Sequence, residues 1–126
     1  MAFNSIYKPL SIEKCKEIEH IIHLGEYHEK TNKARTHVEY LGLALLKYLV
    51  YTDIRSWRPC YALFFKDIER CGLTKGRRSK AVDFLYKRNV VHRDGKRWIC
   101  CERSMLIATM KKIEKEIKRE EGLSST

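Results

Sequence analysis

Residues 65 to 91 read FKDIERCGLTKGRRSKAVDFLYKRNVV. Phe64, Ile68 and Cys71 recur at helical spacing, which predicts a helix over about 60–71 that ends at Gly72. Thr74 is placed to cap a second helix running to about Arg88, with Ala81, Val82 and Leu85 as its apolar face. Asn89 follows where the chain must turn left-handed, a conformation that Asn tolerates better than most residues other than Gly. Beyond it, Val90 to Arg93 and Lys96 to Cys100 flank Asp94-Gly95, the signal of a hairpin with a two-residue type I′ turn. That turn sets Val91 opposite Trp98 and Arg93 opposite Lys96.

The same region concentrates the charge. Residues 70–97 hold ten Lys or Arg against Asp83 and Asp94, a net of +8 within a chain of net +10. The first 53 residues carry seven basic and seven acidic side chains, so the whole excess lies in residues 54–126, where 19 bases face 9 acids. A charge excess confined to one region makes a directed field, and phosphate backbones are the usual target of such a field.

Outward from this core, Ser11 can cap a helix over 12–24 in which Ile12, Cys15, Ile18 and Ile22 form a stripe and Gly25 marks the stop. Glu26 to Arg35 is polar and reads as a loop or a polar extension of that helix. Thr36 and Glu39 fit a capping box ahead of a helix carrying Val38, Leu41, Leu45, Tyr48 and Leu49, with Leu43, Leu46 and Val50 on its other faces. This should be the most buried element. Asp53 to Pro59 breaks the pattern, and Ile54 and Trp57 can dock a short extended piece on the core. Ser104 can cap a last helix over 105–120 with Leu106, Met110, Ile113 and Ile117 at heptad-like spacing.

Helix, extended piece, helix, tight turn, basic helix and two-stranded ribbon is an order that resembles a winged helix-turn-helix, of the small stand-alone regulator type familiar from archaeal viruses. Gly72 resembles the turn glycine of that family, Leu73 the apolar plug and Thr74 the cap of the recognition helix, while Asn89-Val90-Val91 stands where the family has Gly and two aliphatics. The resemblance implies a mainly α fold with a small β-hairpin wing: an N-terminal helix and polar linker over 1–35, the winged domain over 36–101, and a C-terminal helix and tail over 102–126. It implies a sequence-specific double-stranded DNA-binding protein, a transcription regulator. Its major-groove contacts would come from Lys75, Gly76, Arg77, Ser79 and Lys80, with Arg77 suited to a guanine and Lys75 and Lys80 to phosphates. Lys87 and Arg88 extend the basic helix, and Arg93, Lys96 and Arg97 form a wing tip suited to the minor groove or its phosphates.

Two departures from the family carry expectations of their own. Asp67 and Arg78 stand where apolar residues usually meet between the two helices, so an ion pair between them is expected. Phe84 and Tyr86 are aromatics where polar residues are usual, which suggests that another surface covers them.

Other classes stay open. The same charge suits an RNA-binding or replication-accessory winged helix, with Tyr61, Phe64, Phe65 and Trp98 available for stacking, or a protein–protein module facing an acidic partner. His20, His23, His28 and His37 lack a second pair at metal-ligand spacing, so no metal or cofactor is expected. No phosphate loop, paired carboxylates or Ser/Cys–His signature points to an enzyme. The five cysteines, without a Cys-x-x-Cys, read as buried reduced thiols, one disulfide remaining open. No apolar run approaches the ~20 residues of a membrane span, and Met-Ala-Phe-Asn has no signal-peptide pattern. Localisation inside a prokaryotic host cell is therefore expected. The apolar stripes on the two terminal helices each need burial, which predicts a homodimer through them, packing within one chain being the alternative.

Overall fold

The computed structural model describes residues 9–30, 34–58 and 62–124. Among the described residues, five helices and three short strands follow in the order α1 (Ile12–Lys30), α2 (Ala34–Thr52), β1 (Ser56–Trp57), α3 (Ala62–Arg70), α4 (Lys75–Lys87), β2 (Val91–Asp94), β3 (Arg97–Cys100) and α5 (Arg103–Ser124). The fold is mainly helical with a small antiparallel sheet of strand order β1-β3-β2. Pro59 to Tyr61, including the expected start of the third helix at Cys60, lie outside the described residues.

As expected, α2 is the buried axis. Leu41, Ala44, Leu46, Tyr48 and Leu49 are wholly buried, and α1, α4 and α5 pack around them. Its start differs from the capping-box expectation: α2 begins at Ala34, so Thr36 lies inside the helix, and Glu39 is buried within the fold. Likewise α5 begins at Arg103, with Glu102 accepting from the Met105 and Leu106 amides, which puts Ser104 inside the helix. At α1 the cap is as expected, since the Ser11 hydroxyl accepts from the Lys14 amide at 3.3 Å.

Gly25 does not end α1, which runs on to Lys30. Its role is close packing: a Cβ there would stand 2.9 Å from the Tyr40 Cβ on α2. A glycine inside a helical pattern can mark a stop or a close approach, and the neighbouring helix decides which. Gly42 does the same toward α4, where an added Cβ would fall 2.2 Å from the Phe84 ring. Phe84 is thus covered by α2 as the sequence suggested, whereas Tyr86 remains 51% exposed. Gly42→Ala is expected to destabilise by about 1–3 kcal/mol through overpacking, despite its better helix propensity. Gly76→Ala meets open space and should stabilise by roughly 0.5–1 kcal/mol. Urea unfolding of both variants checks the contrast, and a Gly42→Ala protein as stable as the parent would refute the close packing.

The terminal stripes are covered within the chain. Cys15, Ile18 and Ile22 of α1 and Leu106, Ile113 and Ile117 of α5 are buried in the same core as α2, α3 and α4. The reason for expecting a dimer through these helices therefore falls away. Ile12, the exception, is 68% exposed. Polar contacts tie the same helices together: Lys47 of α2 reaches Glu17 of α1 at 3.0 Å and Glu114 of α5 at 3.4 Å, and the Tyr51 hydroxyl donates to Glu17 at 2.7 Å.

The hairpin forms, but one residue further along than expected. Asp94 pairs Arg97, Arg93 pairs Trp98 and Val91 pairs Cys100, so the turn residues are Gly95 and Lys96. Gly95 has φ +61° and Lys96 is not among the positive-φ residues, which is the sign pattern of a type II′ turn with Gly first. Because the pairing moves by two positions in total, each side chain keeps its face. β1 docks on the outer edge of β3, Trp57 against Trp98, as expected of the short extended piece.

Among the described residues no helix is long and apolar enough to cross a membrane, and no cluster of three or more His, Cys, Asp or Glu is placed to hold a metal ion.

Candidate nucleic-acid interface

α3 and α4 are joined by a turn through Cys71 and Gly72, the latter at φ +104°. The Gly72 and Leu73 amides donate back to Glu69 and Ile68 at 2.9 and 3.2 Å, and Leu73 is wholly buried as a plug. Thr74 stands at the start of α4 in extended conformation, although its hydroxyl makes no capping bond. Asn89 takes φ +62°, closing the helix as its position suggested.

Helical periodicity sorts the side chains of α4 into two sets. Ala81 and Leu85 face inward, while Lys75, Gly76, Ser79, Lys80, Asp83 and Lys87 are exposed along the outer stripe. Arg77 and Arg78 belong to neither set: both fold back on the protein. Arg77 donates to the Gly72 carbonyl at 2.9 Å and pairs with Glu26 of α1. The expectation that Arg77 points to a guanine is thus not met in this structure, because α1 extends past Gly25 and brings an acid within its reach.

Arg78 pairs with Glu69 at 2.9 Å and lies over the Phe65 ring at 4.5 Å. Its expected partner Asp67 is elsewhere. Asp67 is 6% exposed and accepts from the Tyr48 hydroxyl at 2.8 Å, the Leu10 amide at 3.2 Å and the Arg70 guanidinium at 2.5 Å. Arg70 also donates to the Leu10 carbonyl at 2.7 Å, and its pKa is raised chiefly by the bond to Asp67. The expected Asp67–Arg78 pair is therefore replaced by two separate ones. α3 turns Asp67 toward α2 and the start of α1, and Glu69, on another face, takes the arginine of α4.

Of the remaining candidates, Lys87 makes only a surface pair with Asp83 at 3.1 Å, of a kind worth little in water. Arg88 stacks over Phe84 at 4.5 Å and reaches Glu116 of α5 at 3.5 Å, which makes it a tether between helices. Arg93, Lys96 and Arg97 are exposed around the hairpin tip. Arg93 lies over the Trp98 ring at 5.4 Å and donates to the Gly95 carbonyl at 3.2 Å. Lys75, Lys80, Arg93, Lys96 and Arg97 have no acidic partner among the described residues, and they are the free cations of this face.

An aromatic series holds the hairpin against the helices. Phe64 stacks on Trp57 with centroids 5.2 Å apart, Trp57 meets Trp98 at 6.4 Å, and Trp98 meets Tyr86 edge-on at 5.9 Å. Between α3, α4 and the sheet this leaves an open cleft of about 600 Å³, with Trp57, Phe65, Tyr86 and Trp98 in its walls and Lys75 and Ser79 bordering it. Sequence reasoning missed the cleft. Its signal was present in Tyr86, in the last turn of α4, and Trp98, on the second strand of the hairpin, two large aromatics on neighbouring elements. No protein-family model, curated protein or solved structure matches the chain.

Proposed function

We propose that the chain is a winged helix-turn-helix protein that binds double-stranded DNA in a sequence-specific manner and regulates transcription. The observation that carries this is the sorting of cations on one face. The outer stripe of α4 and the hairpin tip keep Lys75, Lys80, Arg93, Lys96 and Arg97 exposed without acidic partners among the described residues, while Arg77, Arg78 and Arg88 are held by acids of the protein itself. The first two turns of α4 would enter the major groove. There Lys75, Ser79 and Lys80 reach base edges or phosphates, and Gly76 lets the helix N-terminus approach a phosphate closely. The β2–β3 hairpin acts as the wing, with Arg93, Lys96 and Arg97 at the adjacent backbone or minor groove. Lys87 supplies a peripheral phosphate contact.

The test compares two triple variants in duplex DNA binding by fluorescence anisotropy at one salt concentration. Lys75→Ala/Ser79→Ala/Lys80→Ala should weaken binding on the order of 100-fold, as expected for a few lost groove and phosphate contacts. Lys14→Ala/Lys16→Ala/Lys112→Ala removes exposed charge from α1 and α5 and should change it only a few-fold. Equal losses would remove α4 as the reading helix.

The aromatic cleft supports a second reading, in which an unpaired base stacks against Trp98 or Tyr86 while Lys75 holds its phosphate. Tighter binding to single strands than to duplex of the same sequence and salt, lost with Tyr86→Ala, would favour it.

A further inference from the structure

We propose that Cys15 and Cys71 form a disulfide that staples α1 onto the turn between α3 and α4. Their Sγ atoms lie 2.8 Å apart although the residues are 56 apart in sequence. A disulfide places its sulfurs about 2.05 Å apart, so bond formation asks for less than an ångström of closure rather than a rearrangement of helices. Both side chains are buried, Cys15 at 7% and Cys71 at 0% exposure. The neighbourhood is already clamped on either side of the pair. The Leu10 backbone exchanges hydrogen bonds with Asp67 and Arg70, and further along α1 Glu26 holds Arg77. The bond would join two elements held in register by other contacts, which is the condition for low strain. Cys100 has a different environment, its thiol donating to the Ile54 carbonyl at 3.4 Å.

The oxidant is a low-molecular-weight disulfide. Cys15, the more exposed of the two, gives up its proton and attacks one sulfur of that reagent, forming a mixed disulfide and expelling the first small thiolate. Burial pushes the Cys71 thiol well above its ordinary pKa, so it acts second. Once deprotonated, it attacks the Cys15 sulfur from its adjacent position and expels the second small thiolate. Two S–H bonds are lost, two protons pass to the leaving thiolates, and two electrons pass from the cysteine pair to the reagent. The product closes the chain between residues 15 and 71, a long loop whose unfolded state loses much of its freedom.

The experiment uses the full chain, purified reduced and then treated with oxidised glutathione while folded. Free thiols counted after unfolding should fall from five to three, the mass should drop by two hydrogens, and a peptide map should join Cys15 to Cys71. The Tm should rise on the order of 10 °C. That rise should persist in Cys100→Ser and vanish in Cys15→Ser and Cys71→Ser. If either of these last two variants fails to fold, the peptide map of the unsubstituted chain decides alone. Retention of all five thiols, glutathione adducts without an internal link, or a link through another pair would overturn the proposal.

Discussion

Raising salt from 50 to 200 mM is expected to weaken duplex DNA binding by about 10²–10³-fold. Each phosphate neutralised contributes roughly 0.9 to the slope of log affinity against log salt, so five contacts give a slope near 4.5 and roughly a 500-fold loss over a fourfold change. The count of five comes from the exposed cations without acidic partners among the described residues, Lys75, Lys80, Arg93, Lys96 and Arg97; Lys87 is not counted because Asp83 offsets its charge. Arg77, Arg78 and Arg88 are left out because each is held by a glutamate. The ten basic residues of the 70–97 stretch therefore overstate the electrostatic footprint. Lys80→Ala should lower the slope by about one, and Arg88→Ala should leave it unchanged. Salt titrations of the parent and both variants provide the measurement. A slope below about 2, or a larger change from Arg88→Ala than from Lys80→Ala, would show that phosphates meet a different face.

The largest expected effect on stability is that of Asp67→Ala, about 2–5 kcal/mol. The substitution strips the acceptor from the buried Tyr48 hydroxyl and the Leu10 amide and removes the partner of Arg70. Each buried donor left without an acceptor costs about 1–3 kcal/mol. Asp67→Asn keeps an acceptor oxygen and should lose about half as much. Arg78→Ala, by contrast, gives up a pair with a half-exposed glutamate and a stacking contact, and its effect should add to that of Asp67→Ala within about 0.5 kcal/mol. Urea denaturation of the two single variants and the double variant closes the cycle. A loss under 1 kcal/mol for Asp67→Ala, or strong coupling to Arg78, would contradict the observed network.

Asp67 also shows where reading a sequence stops. Its need for a partner of opposite charge was legible. The partners were not: the Leu10 amide and the Tyr48 hydroxyl stand 57 and 19 residues away, and nothing local specifies them. Arg77 is a parallel case on the basic face. Its position in the first turns of α4 was plain, but its direction depends on Glu26, which reaches it only because α1 continues to Lys30. The hairpin differs in kind. Its existence was legible, while the turn slipped by one residue because Gly95 can serve as the second residue of one turn type or the first of another.

From the chain alone came those features that a few neighbouring residues control: the helix–turn–helix–hairpin order, the break at Gly72, the left-handed Asn89, the burial of α2 and the concentration of charge between Arg70 and Arg97. Backbone sterics and hydrophobic periodicity act over one or two turns, so they are written locally. Tertiary structure alone decided that Gly25 and Gly42 are packing contacts, that the terminal stripes close within one chain, that Arg77, Arg78 and Arg88 are each held by a glutamate, and that Cys15 meets Cys71. Each of these depends on which surfaces meet, and that follows from packing the whole core at once, where a single misplaced helix changes every partner.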